Sequence, residues 1–353
     1  MNILTKANNS NAQHHTKQIH PRLVKHTKQD YESKLLEVLC SNGLTFDEAK
    51  KYRKRVDQSY VEQDTTYFAP HTITVNPTSA CNFKCIMCDV PRNNRPKIQL
   101  DIDLICNALL KLKSQGMQCC ILGSGAEITL YKPWRELITF ASKLFPDVIL
   151  MTNGSLLTDE DVKFLAYSNV SRLCVSLDAS TPEMHASIRG HKLLPKIESS
   201  IHKLLEFRNS AGKPGPLVRV SFVLMDCNLH QRDEFISKWS GVVDSVEIQS
   251  YVDISGFRNK EYVSKLKSVQ NIQNPTCHYP WNYLSIWADG SISSCCTSYG
   301  RDAKELHYAN IHDEDWLNLI EEKSKELQAS FLKSSIPSSC NHCLEVKSSS
   351  NAL

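Results

Sequence analysis

The stretch from Asn76 to Asp89, NPTSACNFKCIMCD, constrains this chain more than any other. Cys81, Cys85 and Cys88 stand in C-x3-C-x2-C spacing directly after a short strand-like run, His71-Thr72-Ile73-Thr74-Val75. Three thiolates in one loop can grip a single metal centre but cannot complete a four-thiolate set. A [4Fe–4S] cluster is ordinarily held by four cysteines, so three leave one iron open to a second molecule. A structural zinc loop requires four ligands, and a triplet with no nearby fourth Cys or His fits it poorly.

The surroundings favour a metal reading over a disulfide one. The chain has 14 cysteines in 353 residues. Its first residues, MNILTKANNSNAQHHTKQ, carry no apolar core of a signal peptide, and no run approaches the roughly 18 apolar residues of a membrane span. The expectation is a cytoplasmic protein with reduced thiols, in which clustered cysteines serve as metal ligands or catalytic groups. A net charge of +3 provides no electrostatic footprint for nucleic acid.

In chain order, residues 1–30 are polar and basic and read as a disordered tail. Residues 31–69 read as a helical segment. One helix carries Leu35, Leu36, Val38 and Leu39 and ends at Asn42-Gly43, and a second opens on the capping box Thr45-x-x-Glu48. A lid or packing arm on the main domain is the expected role. Residues 70–250 alternate strand and helix, with strands at 72–76, 117–123, 147–152, 171–177, 217–225 and 244–250. Helices are expected at 101–115, 133–144, 158–166, 194–208 and 231–239. Six such units imply parallel strands with right-handed crossovers, and they fall short of a closed eight-stranded barrel. The expected class is α/β, a partial (β/α)6 TIM-like barrel with a small C-terminal α+β domain. Ligands then bind at the carboxyl ends of the strands. Residues 251–276 read as a linker and 277–345 as the second domain.

Motifs recur at those strand ends. Gly123-Ser124-Gly125-Ala126-Glu127 follows the second strand, Thr152-Asn153-Gly154 the third, and Ser176-Leu177-Asp178 the fourth, with Ile188-Arg189-Gly190 beyond. Glycines let backbone approach a ligand closely, and a carboxylate there can accept from an ammonium group. A Ser and an Asp two apart on a strand share a face and can bind ribose hydroxyls. Each alone is matched by ordinary turn chemistry or a surface ion pair. In this order, behind the three-cysteine loop, they resemble the radical S-adenosylmethionine (SAM) superfamily over about residues 70–250.

The resemblance implies that Cys81, Cys85 and Cys88 hold a [4Fe–4S] cluster whose open iron is chelated by SAM. Met87 takes the place of the apolar residue near the adenine. Gly125, Ala126 and Glu127 match the turn at the SAM amino group, with Ala126 and Ile128 departing from the usual Gly and Pro. Asn153, Ser176, Asp178 and Arg189 complete the cofactor contacts, Ser176 and Asp178 at the ribose and Arg189 at the carboxylate. The implied chemistry is reductive cleavage of SAM to a 5′-deoxyadenosyl radical that abstracts a substrate hydrogen atom, with a flavodoxin or ferredoxin-type electron donor.

Four later cysteines form a second set: Cys277, Cys295 beyond an Asp289-Gly290 hairpin turn, and Cys340-x2-Cys343. Taken alone they suit a zinc ribbon as well as an iron–sulfur cluster. Beside the first motif they resemble SPASM/twitch auxiliary domains. The count suits a second, auxiliary [4Fe–4S] cluster, with Cys296 able to replace Cys295. Cys227, after the fifth strand, is either a packing residue or a hydrogen-atom donor to a substrate radical. Cys40, Cys106, Cys119, Cys120 and Cys174 read as core. Without a visible N-terminal peptide-recognition domain, the expected substrate is a sugar or cyclitol undergoing dehydrogenation or epimerisation. Peptide modification is the alternative, and a non-catalytic, zinc-stabilised binding protein the remote one.

Overall fold

The computed structural model describes residues 22–26, 31–59, 70–88, 96–251, 277–296, 298, 303–333 and 335–340. All but Tyr251 of the expected linker at 251–276, residues 1–21 and Cys343 lie outside them.

Six parallel strands form the centre: β2 (Thr72–Val75), β3 (Cys119–Leu122), β4 (Asp147–Thr152), β5 (Arg172–Ser176), β6 (Leu217–Leu224) and β7 (Ser245–Ser250), counting from an N-terminal β1 (Arg22–His26). They pair in sequence order from β2 to β7, so each crossover moves one place along the sheet. This is the partial (β/α)6 barrel. The crossovers are α3 (Ile102–Ser114), α4 (Trp134–Leu144), α5 (Asp159–Tyr167), α6 (Pro182–Arg189) with α7 (Leu194–Ser210), and α8 (Arg232–Trp239), numbered after α1 (Tyr31–Ser41) and α2 (Phe46–Ser59). The helices form for local reasons. In α3 the apolar residues Ile105, Ala108, Leu109 and Leu112 fall on one stripe, and the Asp101 side chain caps the amides of Asp103 and Leu104. In α5 Thr158 and Asp161 make a reciprocal capping box. The strands are buried because helices cover them. Ile73, Val75, Cys120, Leu122, Val148, Leu150, Val218 and Val220 join one apolar cluster with the stripes of α3, α4 and α7.

Both edges of this barrel are extended. Arg22–His26, expected within a disordered tail, is the strand β1 antiparallel to β7. At the other side, the C-terminal region begins with α9 (Tyr279–Asn282) and β8 (Tyr283–Ile286). β8 pairs in parallel with β2, from Thr72 opposite Tyr283 to Val75 opposite Ile286. β9 (Ser291–Ser293) and β10 (His307–Asn310) follow antiparallel, and α10 (Trp316–Leu332) covers them, making one ten-stranded sheet. The expected second domain therefore shares its sheet with the first. An exposed strand edge presents unpaired amides and carbonyls, and here each barrel edge is satisfied by a strand from outside the repeat.

The N-terminal helices lie at the amino-terminal mouth. Leu35, Val38, Leu39 and Tyr52 pack against Cys119 and Leu217, the first residues of β3 and β6. The Tyr52 hydroxyl donates to Asp147 Oδ2 at 2.8 Å, and Asn42 Nδ2 donates to the carbonyls of Pro146 and Asn169. Asp147, fully buried, also pairs with Arg172 and accepts from Ser171 Oγ. Of the two roles expected for this segment, it is the packing arm and not a lid over the carboxyl-end face. Cys119, Cys120 and Cys174 are core as expected, whereas Cys40 and Cys106 are half-buried.

Candidate functional site

The three-cysteine loop leaves the carboxyl end of β2. It is held by α6, which the sequence reading did not anticipate. Ile86 N donates to Ile188 O at 2.9 Å, and His191 Nε2 donates to Asn82 O at 3.1 Å. The buried Phe83 ring packs between His185 and His191, with centroids 5.9 and 5.1 Å away. Burial raises the Cys81 thiol and pushes Cys85 up to about 12. Cys81 and Cys85 are thus held as neutral thiols, and ligation releases their protons.

The Gly123–Glu127 turn packs directly on this loop. Gly123 has φ +86°, a conformation that favours glycine. Gly125 is demanded by space: a Cβ there would lie 2.7 Å from the Trp287 ring and 3.0 Å from the Asn76 side chain. Asn76 Oδ1 accepts from Gly125 N at 2.6 Å and from Ser124 Oγ at 3.2 Å. Glu127 is buried and fully engaged within the protein. Its Oε1 accepts from Thr129 N, Thr129 Oγ1 and Thr152 Oγ1, and its Oε2 from Asn153 N at 2.8 Å. Asn153 in turn donates to Asn82 Oδ1 at 3.0 Å and accepts from Ser155. One hydrogen-bonded chain thereby runs from the turn after β3, through the end of β4, into the cysteine loop.

Ser176 and Asp178 do not share a strand face. β5 ends at Ser176, and the amides of Leu177 and Asp178 both donate to Ser221 O. Asp178 then adopts φ +61°, which breaks the alternation that the spacing suggested. Its carboxylate accepts from Val223 N at 2.7 Å and pairs with Arg189 Nη2 at 2.5 Å. Arg189 Nη1 reaches Cys85 Sγ at 3.9 Å. Residues assigned separate cofactor contacts are therefore partnered with each other.

Cys227 sits in a turn closed by Asn228. The Asn228 side chain accepts from Met225 N and donates to Asp178 O and Val223 O. Met225, Ile188 and Tyr251 make a small apolar cluster against which both Met87 of the cysteine loop and Cys227 pack. Burial raises the Cys227 thiol, keeping it as S–H. Asn76, Asn82, Phe83, Ser155 and Asn228 were missed from sequence. Asn76 precedes the motif and Asn82 lies within it, but nothing in their spacing marks them.

In the C-terminal region, Cys277, Cys295 and Cys340 are half-buried. Burial raises the Tyr308 phenol, and Cys295 and Cys277 add to it. Cys296 and Cys295 act likewise on Tyr283, so both remain candidates for one position. The Cys340 turn is tied down through Ser338 and Ser339 to Glu305.

Among the described residues, no three Cys, His, Asp or Glu groups converge on a point as one zinc ion requires. A four-iron cluster binds each thiolate through a different iron, so its ligands stand apart. The Cys81–Cys88 loop offers three half-buried thiols, with a guanidinium at one sulfur. The buried Asn76 Nδ2 has no partner, which leaves a spare donor at the base of the loop. No helix among the described residues is long and apolar enough to cross a membrane.

Comparison with known proteins agrees with this geometry. Residues 75–210 match the radical SAM superfamily model and residues 277–344 an iron–sulfur cluster-binding (SPASM) domain model, together more than half of the chain. A cofactor-modifying protein for the tungsten-containing aldehyde ferredoxin oxidoreductase of Pyrococcus furiosus is 28% identical over 158 residues, 44% of each chain. The sporulation killing factor maturation protein SkfB of Bacillus subtilis is 29% identical over 125 residues, 35% of this chain and 30% of the relative. The matched part is thus less than half the length of these relatives. In three dimensions, Streptococcus suis SuiB bound to precursor peptide SuiA superposes with a TM-score of 0.57 at 17% identity, over 78% of this chain and 69% of SuiB.

Proposed function

The chain carries a radical SAM domain followed by a C-terminal SPASM cluster-binding domain, and from that premise we propose that it is a radical SAM enzyme that modifies a peptide. The observation that carries the enzymatic reading is the cysteine loop at the carboxyl end of β2, with Cys81, Cys85 and Cys88 as cluster ligands. Bound there, the cluster and SAM supply one-electron chemistry that yields a 5′-deoxyadenosyl radical. Cys277, Cys295, Cys340 and Cys343 hold the auxiliary cluster.

The chain's own groups do the rest. Asn76 and Glu127 fix the turn that borders the cofactor, with Gly125 and Ala126 offering backbone to it. Met87 provides an apolar wall, while Asn153 and Ser176 present polar groups at neighbouring strand ends. The Asp178–Arg189 pair would meet the cofactor's ribose and carboxylate when it is bound. Cys227, a protonated thiol packed on the same apolar cluster as Met87, can return a hydrogen atom to a substrate radical. The thiyl left behind is restored by one electron from a flavodoxin or ferredoxin-type donor and one proton from solvent.

The peptide reading replaces dehydrogenation or epimerisation of a sugar or cyclitol as the first choice. It is supported by the maturation protein among the relatives. The position of α1 and α2 at the opposite mouth, away from the carboxyl-end face, is compatible with an extended substrate. Anaerobic reconstitution tests the enzyme: about eight irons per chain and 5′-deoxyadenosine formed with dithionite and SAM are expected. Zinc alone, with no cleavage, overturns it. Mass spectrometry of peptides encoded beside the gene, run against sugars and aminocyclitols, tests the substrate class. Turnover of only the latter overturns the peptide reading.

A further inference from the structure

Arg189 occupies an unusual electrostatic position. It is almost fully buried, donates from Nη2 to Asp178 at 2.5 Å, and points Nη1 at Cys85 Sγ, 3.9 Å away. Its Nε is buried with no partner. The arrangement is over-determined. Gly190 ends α6 in a left-handed cap, and Ile188 O is bonded to Ile86 N, so the residues before and after Arg189 are both fixed. Asp178 is fixed by Val223 N and by Asn228. The result is an oriented pair, positive end toward the sulfur and negative end behind it.

Charges and hydrogen bonds at cluster sulfurs are among the factors that set an iron–sulfur cluster's reduction potential. Adding an electron makes the cluster more negative, so a fixed cation at one ligand sulfur stabilises the reduced state. Burial strengthens the effect, because screening by water and salt is weak there. We propose that Arg189, anchored by Asp178, is a tuning residue that raises the reduction potential of the cluster held by Cys81, Cys85 and Cys88. Asp178 acts in the opposite sense, offsetting part of that charge. The proposal rests on the cluster assignment above and is separate from any contact that Arg189 makes with SAM.

The opposed signs supply the test. Full-length protein is reconstituted anaerobically, its iron is counted, and the SAM-responsive cluster is followed by EPR during a redox titration. Arg189→Gln removes the cation and lowers the potential. The expected shift is at least tenfold in the ratio of reduced to oxidised cluster at the wild-type midpoint, about 59 mV for one electron. Asp178→Asn keeps Arg189 and raises the potential. Arg189→Lys keeps the charge and falls between wild type and Arg189→Gln. A merely structural pair moves both Gln and Asn variants the same way, or costs both their iron, and either result overturns the proposal. So does a change of less than twofold in Arg189→Gln. If Arg189→Gln alone fails to load, the signs for Asp178→Asn and Arg189→Lys decide. Wild-type protein that holds iron but shows no SAM-responsive signal overturns the cluster assignment itself, an outcome distinct from a loaded cluster whose potential ignores Arg189.

Discussion

Glu127→Gln separates two roles for the same carboxylate. Resemblance to the family casts Glu127 as a contact for the SAM amino group, whereas the structure commits both its oxygens to four donors from Thr129, Thr152 and Asn153. Glutamine keeps the shape but turns one acceptor into a donor. If its oxygen keeps the Thr129 and Thr152 donors, its amide faces Asn153 N–H. The flipped rotamer faces three donors and is worse. A buried donor left unsatisfied costs about 1–3 kcal/mol, and the remaining bonds lose their charge assistance, so the expected loss is about 2–4 kcal/mol. With an unfolding entropy of about 2.1 cal/mol/K per residue, that corresponds to about 3–5 °C if the chain unfolds as one unit. Thr152→Val, which removes one donor to Glu127 and the acceptor of the buried Gly154 amide, should cost about 1–3 kcal/mol. The assay is thermal and urea unfolding of the cluster-free protein, followed by SAM binding to the loaded one. If Glu127→Gln melts within about 1 °C of wild type while SAM affinity falls tenfold, the carboxylate is spare for ligand and the reasoning fails.

Other perturbations read other parts of the site. Gly125→Ala places a Cβ 2.7 Å from the Trp287 ring; it should cost about 1–3 kcal/mol by overpacking and shift the tryptophan emission, and an unchanged spectrum and melting point would show that the turn can move aside. Cys227→Ala should abolish peptide product while 5′-deoxyadenosine still forms, and unchanged product removes Cys227 from the chemistry. His71, at the head of β2, has its pKa lowered to about 4, chiefly by burial. Between pH 6.5 and about 4 the unfolded chain therefore binds a proton that the folded chain refuses, and stability falls with pH across that window by up to about 3 kcal/mol, levelling off below it. In His71→Gln, urea midpoints at pH 7 and pH 4.5 should differ by less than in wild type; an equal difference would place the dependence elsewhere.

The alternation of apolar strands with one-sided helices between 72 and 250 determined the parallel order of β2 to β7, because each unit can bury its face only by crossing back onto the same sheet. The spacing of Cys81, Cys85 and Cys88 likewise determined an incomplete thiolate set wherever the loop lay. Pairing between distant segments was not legible. That Arg22–His26 would cover β7, and Tyr283–Ile286 the exposed edge of β2, depends on which edges the assembled barrel leaves open. Nor did spacing reveal that Ser176 and Asp178 part company. One residue at positive φ turns Asp178 away from the strand, and Val223, Asn228 and Arg189, all far or absent from the motif, hold it there. Three cysteines in that spacing imply that a cluster held by the loop would lack a fourth cysteine ligand. The guanidinium that stands at one of its sulfurs comes from a helix about a hundred residues later, and only tertiary packing could bring that charge to the loop.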